Sequence, residues 1–242
     1  MGAFFHAVLY QPLYNALVFL LGLVPGHEVG IAVIVLTVLV RIIIFPLAQN
    51  GIKTNIALKK LQPQIEALKK KHQNDTDAKA RETMALYKEN DIHMSAPFLL
   101  ILVQLPLIIG LYWVFRYGNL PAIDMTQLYA FVHAPAAISM QFLGLIDMST
   151  RSVILALTTG ITQFVFAKLS MQPPAADGSG FSHDLARSMH LQMRYVLPFV
   201  MCFIAYSLAA AVALYWTTSN LFNIAQELFV RRRLEREAAN AN

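Results

Sequence analysis

The sequence contains little charge and a single cysteine, and each shortage excludes a class of protein. Lys, Arg, Asp and Glu make up 14% of the 242 residues, whereas 57% are hydrophobic. A mean hydropathy of +0.51 is far above that of soluble domains. The lone thiol of Cys202 excludes a disulfide framework and a cysteine metal site. We therefore expect an all-α polytopic membrane protein, with no metal and no cofactor.

Motifs for catalysis are also missing. The sequence has no phosphate-binding glycine loop, no metal-ligand pair at usable spacing, and no Ser/His/Asp set on one side of the membrane. No predicted span has Asp, Glu or His near its centre, which argues against a proton relay. No cleavable signal peptide is expected, because a basic n-region is absent before Pro25. The sequence thus predicts a protein that is not an enzyme.

Long apolar runs are what the sequence does have, and they predict five transmembrane helices. About 20 apolar residues suffice to cross a bilayer as a helix. The last apolar stretch, Tyr195–Val230, would be roughly 54 Å long as one helix and is therefore divided in two. The predicted spans are 29–49, 94–117, 151–171, 195–208 and 209–230. Residues 1–28 are apolar but interrupted by polar side chains, which favours an interfacial amphipathic helix over a sixth span.

Lysine and arginine are concentrated in alternate connections. Residues 50–93 hold nine of them, residues 172–194 hold two, and the tail 231–242 holds four. The opposite side, which includes the loop 118–150, has only Arg116 and Arg151 at its borders. The positive-inside rule therefore predicts an extracytoplasmic N-terminus and a cytoplasmic C-terminus.

The segment 50–93 has the heptad-like spacing of two helices. The turn between them is predicted at Asn74–Asp77, where an aspartate can cap the second helix. We interpret the segment as a cytoplasmic antiparallel helical hairpin, and residues 172–183 as a flexible loop by composition. The apolar positions of the hairpin are Leu58, Leu61, Ile65, Leu68, Ala80, Met84 and Tyr87.

Arg41 is the charge that the first span does not explain. An arginine near the centre of a span costs about 2.5–3.5 kcal/mol on insertion scales, and each Val, Ile, Leu or Phe returns about 0.3–0.6 kcal/mol. Fourteen such residues in 29–49 allow the helix to insert. Arg41 lies about 12 Å from the cytoplasmic end of that span, too deep for its side chain to reach the headgroups alone. We therefore expect a water-filled cavity open to the cytoplasm.

Other spans also have polar stripes, which we expect to face Arg41. Such residues can instead simply hold helices together by hydrogen bonds, so both interpretations stay open for the individual side chains. The candidate site residues are Arg41, Thr37, Gln104, Gln163, Tyr215, Trp216, Asn220 and Asn223.

Four stretches in order resemble the YidC/Oxa/Alb family of membrane protein insertases. They are LTVLVRIIIFPL, QPQIEALKKKH followed by RETMALYKEN, LLILVQLPLIIGLYWVF, and AAAVALYWTTSNLFNIAQ. The sequence departs from the family at IHMSAPF before the second span and in the last hairpin, which contains no Pro-Gly. We therefore expect a minimal form of the family, without the large extracytoplasmic domain of some members.

The resemblance implies a five-helix core, a cytoplasmic hairpin and a peripheral helix before the first core span. It also implies that Arg41 and Thr37 line a client groove with Trp216, Tyr215 and Gln163. Such a protein moves short polar segments of nascent membrane proteins through the groove, without nucleotide hydrolysis, in the bacterial inner membrane. Its implied partners are client chains, lipids, the ribosome and the Sec translocon, and it would act as a monomer.

Two rival functions remain. A small transporter or channel would use Arg41 as an anion site, although no inverted repeat is visible. A scaffold would fold or assemble other membrane proteins without inserting them.

Overall fold

The protein is predominantly helical, in agreement with the predicted all-α class. A computed structural model describes residues 3–72, 75–90, 92, 96–118, 120–171 and 181–240. The α-helices are α1 Ala3–Phe5, α2 Gln11–Leu23, α3 Val29–Lys71, α4 Thr76–Glu89, α5 Ala96–Tyr117, α6 Val153–Ser170, α7 Phe181–Leu191, α8 Leu197–Ser207 and α9 Ala210–Asn240. Single π-helical turns at His6–Tyr10 and Gln192–Val196 join α1 to α2 and α7 to α8.

Three helices of the described residues are long and apolar enough to cross a membrane. They are His6–Leu23, Val29–Leu68 and Val153–Ser170. The second includes the predicted span 29–49 and the third lies within the predicted span 151–171, whereas the first lies in the segment assigned to an interfacial helix. Length and composition alone identify these helices, so the five-span core and the interfacial position of residues 1–28 stay predictions.

Helix α3 continues without a break through the predicted end of the first span at residue 49. It contains 43 residues, or about 65 Å, and includes Pro46 and Pro63. Helix α4 lies beside its last turns, where Lys71 Nζ donates to both carboxylate oxygens of Glu82 at 3.2 Å. The carboxylate of Asp75 caps α4 by accepting hydrogen bonds from the backbone N–H groups of Asp77 and Ala78. Residues 73–74 of the predicted turn lie outside the described residues.

Two helices begin or end beyond the predicted boundaries. Helix α7 occupies 181–191, so it begins within the predicted flexible loop 172–183, and it continues through the π-turn into α8. The apolar positions of this helix repeat every four residues, at Phe181, Leu185 and Met189. The Gly- and Pro-rich segment before them hides this periodicity in the sequence. The rest of the predicted loop, 172–180, lies outside the described residues. Helix α9 likewise extends through the predicted tail as far as Asn240.

The connection between α5 and α6 folds over one end of the helices. Strands β1 Gln141–Phe142 and β2 Ile146–Asp147 pair antiparallel, with Phe142 opposite Ile146. The backbone N–H of Val29 donates to the carbonyl of Ser139 at 2.9 Å, which fixes this connection to the start of α3. The side chain of Asn15 does the same for α2, since its Nδ2 donates to the carbonyl of Gln127 at 2.8 Å.

The hydrophobic core lies at this same end. Tyr14, Leu17 and Leu21 of α2 are fully buried with the first turns of α3 and α9. Close contact between α2 and α5 depends on Gly110, where a Cβ would come within 2.5 Å of Leu13 Cδ1. Further along α3, around Arg41, several apolar side chains are exposed, including Leu39, Ile42 and Ile43. One end of the bundle is therefore packed, and Arg41 lies beyond it.

Candidate functional site around Arg41

Arg41 lies where α3, α5 and α9 meet. Its Nη2 donates a hydrogen bond to Gln104 Oε1 at 2.6 Å, and Gln104 Nε2 donates to the hydroxyl of Tyr215 at 2.7 Å. Arg41 is partly exposed, whereas Tyr215 is 2% exposed. A planar amide at position 104 can accept from the guanidinium and donate to the phenol at the same time. The three side chains form one chain of hydrogen bonds, which we call the Arg41 cluster.

The Arg41 cluster leaves the cation without a counter-charge. Among the ion pairs formed by the described residues, none includes Arg41. Gln104 is neutral, so its hydrogen bond orients the guanidinium but does not cancel its charge. A guanidinium has five N–H donors, and the cluster uses one of them. The remaining N–H donors can form hydrogen bonds with a carboxylate, a phosphate or a carbonyl oxygen of a ligand.

Two other predicted site residues, Thr37 and Trp216, are buried and lie close to members of the cluster in the chain. Thr37, one turn before Arg41, donates its hydroxyl to the carbonyl of Val33 at 2.6 Å within its own helix. Trp216 follows Tyr215 in α9 and is almost completely covered. Both side chains are therefore buried, and the hydroxyl of Thr37 is bonded within its own helix.

The remaining predicted residues lie along the contact between α6 and α9. Asn220 Nδ2 donates to Thr162 Oγ1 at 3.3 Å, while Thr159 Oγ1 lies 3.0 Å from Thr217 Oγ1 and donates to the carbonyl of Ala213 at 3.1 Å. This row of hydroxyl groups holds the two helices together. Within the described part of the chain, Gln163 and Asn223 have no hydrogen-bond partner, and both are partly exposed.

A second arginine, in the C-terminal part of α9, is held quite differently. Arg231 Nε donates to Glu227 Oε1 at 2.8 Å, and Arg231 Nη2 donates to the carbonyl of Leu169 at 2.6 Å. Glu227 is 2% exposed, and the hydrogen bond from its partner Arg231 to Leu169 joins the end of α6 to α9. Gln226 adds a hydrogen bond of 3.2 Å to the carbonyl of Phe45 in α3. The sequence reasoning missed this contact, although the i,i+4 spacing of Glu227 and Arg231 was a signal for it.

Apolar helices with a charged cluster between them define an integral membrane protein with a polar site. The family model described as 60Kd inner membrane protein matches residues 20–237. The chain therefore belongs to this family, and the predicted membership of the YidC/Oxa/Alb insertases is confirmed. Family and apolar helices together identify a bacterial inner-membrane protein.

Three relatives illustrate the range of the similarity, and each is named membrane protein insertase YidC. The protein of Clostridium tetani is 30% identical over 216 residues, which cover 89% of this chain and 87% of the relative. That of Fusobacterium nucleatum is 30% identical over 227 residues, covering 93% and 98%. For Cellvibrio japonicus the match is 30% over 234 residues, 96% of this chain but 37% of a longer relative. None of these names gives an enzymatic activity, in agreement with the predicted absence of catalysis.

Proposed function

We propose that this protein is a membrane protein insertase that receives nascent membrane proteins and releases their helices into the bilayer without nucleotide hydrolysis. The observation that carries the proposal is the state of Arg41. Its guanidinium is held between three helices by the neutral Gln104, and no carboxylate of the described residues neutralises it. The insertase names of relatives that match most of the chain support the same conclusion.

The physical task is to carry a short polar tail of the client past hydrocarbon. A cation that is fixed in place but not neutralised attracts acidic and hydrogen-bonding groups of that tail. Arg41 acts here in a hydrated groove that is open to the cytoplasm and to lipid, and Thr37, Gln163, Tyr215 and Trp216 line or support its walls. The groove shortens the dry path that the tail has to cross.

The apolar part of the client supplies the driving force. About 20 apolar residues entering lipid return about 0.3–0.6 kcal/mol each, which exceeds the cost of moving a short polar tail. Leu105 and Ile109 of α5 and Leu221 of α9 are exposed, and such apolar faces let a client helix slide from the groove into lipid. No hydrolysis step is needed for this transfer.

The proposed function also includes a membrane topology and a surface that receives partner proteins. The basic connections face the cytoplasm and the N-terminus lies outside, as the distribution of lysine and arginine indicates. The extension of α3 beyond the membrane and the neighbouring α4 form the cytoplasmic hairpin that receives clients from the ribosome or from a Sec translocon.

Depletion and complementation with Arg41 variants test the role of the charge. We expect Arg41→Ala and Arg41→Glu to lose insertion of small clients with acidic tails, and Arg41→Lys to retain part of it. Arg116→Ala is the matched control, because it removes an exposed arginine from the C-terminal end of α5, away from Gln104. If both Arg41 variants insert every client tried as well as the native protein, Arg41 has no role in insertion.

Crosslinking distinguishes insertion from the rival functions. A photoreactive residue at Leu105, which is 54% exposed beside Gln104, should capture nascent chains during synthesis. A probe at Ile154, exposed on α6, serves as the control. Capture of completed chains alone would indicate a scaffold, and an Arg41-dependent anion conductance in liposomes would indicate a channel.

A further inference from the structure

The C-terminal part of α9 has a second group of cationic side chains, away from the Arg41 cluster. A cavity of about 380 Å³ lies against this part of the helix. The described residues that line it are Phe229, Arg232, Arg233, Arg236, Glu237 and Asn240. Positions spaced three and four apart share one face of a helix, so these side chains form a continuous stripe.

Two of the arginines in the stripe are available for a ligand. Arg233 Nε donates to Glu237 Oε1 at 2.8 Å, and the preceding Arg231 is paired with Glu227. Within the described residues, Arg232 and Arg236 form no ion pair or hydrogen bond, and both are exposed. They stand one helical turn apart, at a distance suited to two guanidinium groups contacting one phosphate.

The position of this stripe in the chain favours a lipid as the ligand. The apolar run of α9 ends at Val230, and the basic run begins with the next residue. Phe229 is exposed at the membrane side of Arg232 and touches Phe45 of α3, with ring centroids 6.4 Å apart. An aromatic ring below two guanidinium groups matches a molecule with acyl chains below a phosphate.

The number of free positive charges also favours a lipid over a nucleic acid as the ligand. Each Lys or Arg near an anionic surface contributes about 1 kcal/mol, so two free arginines suffice for a lipid headgroup. Binding of RNA or DNA depends on many phosphate contacts at once. Glu235 and Glu237 interrupt the basic run, and two of its four arginines are already paired with carboxylates.

We propose that Arg232 and Arg236, with Phe229 beneath them, bind the phosphate of an anionic phospholipid headgroup at the end of α9. Because α9 also contributes Tyr215 to the Arg41 cluster, the lipid would anchor a helix of the site at the membrane surface. This proposal needs only that α9 lies in a membrane, and it stands or falls independently of the insertase function.

Lipid retention by the purified full-length protein tests the site. The protein is equilibrated in nanodiscs of phosphatidylglycerol and phosphatidylcholine at one to four, extracted into detergent, and examined by native mass spectrometry for bound lipid. We expect phosphatidylglycerol to be enriched, and Arg232→Gln/Arg236→Gln to reduce the enrichment by at least about tenfold. Arg232→Lys/Arg236→Lys should be intermediate, because lysine keeps the charge but cannot make bidentate contacts.

The control removes the same charge elsewhere. Lys59→Gln/Lys60→Gln changes two exposed lysines of α3 and should leave the enrichment unchanged. Equal retention of the two lipids, or equal loss in the lysine variant, would overturn the site. Inorganic phosphate or an RNA oligonucleotide that binds the detergent-solubilised protein through these arginines, with no preference for phosphatidylglycerol, would overturn the assignment to lipid.

Discussion

Arg41 and Arg231 have the same side chain in the same bundle, but the structure surrounds them in opposite ways. Arg231 is bound by the buried carboxylate of Glu227 and by the carbonyl of Leu169. Arg41 is bound by a neutral amide, and no described carboxylate pairs with it. A neutralised arginine holds helices together, whereas one that keeps its charge can act on a ligand.

The comparison explains why polarity alone does not identify the site. Hydroxyl groups between α6 and α9 are as deeply placed as the Arg41 cluster, but their hydrogen bonds are made within the protein. The Arg41 cluster differs because its guanidinium keeps its positive charge and has N–H donors that the cluster does not use.

The largest expected effect is that of Arg231→Ala on stability. Removing the arginine leaves Glu227 buried and unpaired, which typically costs about 3–5 kcal/mol. The free energy of unfolding in detergent micelles measures the change. Arg233→Ala is the matched control, because it breaks an i,i+4 pair of the same length at the exposed Glu237 and should cost at most about 1 kcal/mol. Equal losses in the two variants would show that burial of Glu227 is irrelevant.

A smaller effect is expected from Gln104→Glu, which would make the surroundings of Arg41 resemble those of Arg231. The new carboxylate would accept from the guanidinium at the position of Gln104 Oε1 and cancel its charge. We expect insertion of acidic clients in proteoliposomes to fall about tenfold, or about 1.4 kcal/mol, without loss of stability. Gln141→Glu makes the same change at an exposed side chain of β1, outside the proposed groove, and should change insertion less. Full activity of the first variant would contradict a role for the free charge.

Hydrogen bonds between α6 and α9 should matter less still. Thr159→Val keeps the shape of the side chain but removes its contacts with Ala213 and Thr217, which is expected to cost about 0.6 kcal/mol and at most about 1.7. Thr218→Val is its control, since among the described residues the hydroxyl of Thr218 bonds only to the carbonyl of Leu214 in its own helix. Thermal unfolding in lipid nanodiscs compares the two. A greater loss in the control would mean that contact between the helices is not what Thr159 provides.

The sequence identified the unusual residue but could not identify its neighbours. Arg41 stands out because insertion energies depend on local composition, which one sequence displays completely. Polar stripes of three other helices were expected to face it, yet among the described residues only Gln104 and Tyr215 join its hydrogen-bond chain. Whether a stripe faces Arg41 or another helix depends on the rotation of each helix, and packing against distant residues sets that rotation.

The sequence also did not predict where the helices end. Apolar runs indicate where a helix can enter lipid, but they do not indicate where it ends in water. Helix α3 therefore continues past residue 49, and α9 past residue 230, because the following residues also favour helix. The i,i+4 pairs of Arg231 with Glu227 and of Arg233 with Glu237 stabilise the continuation of α9.

The smallest effect is expected where an ion pair is exposed, at the contact of α3 with α4. Hydrogen bonds from Lys71 lower the pKa of Glu82 below its ordinary value of 4.5, and His72, 3.0 Å from the carboxylate, adds to the shift. A lowered pKa means that the pair contributes fully above pH 4.5 and loses its contribution as the pH falls through the lowered value. Distances between spin labels at Lys60 and Glu89 should therefore broaden slightly between pH 6 and pH 3.5, and Glu82→Gln should abolish the change. If the distances in the Glu82→Gln variant respond to pH as strongly as those in the native protein, another group causes the pH dependence. The exposed pair of Lys71 and Glu82, unlike that of Arg231, would then have no measurable role.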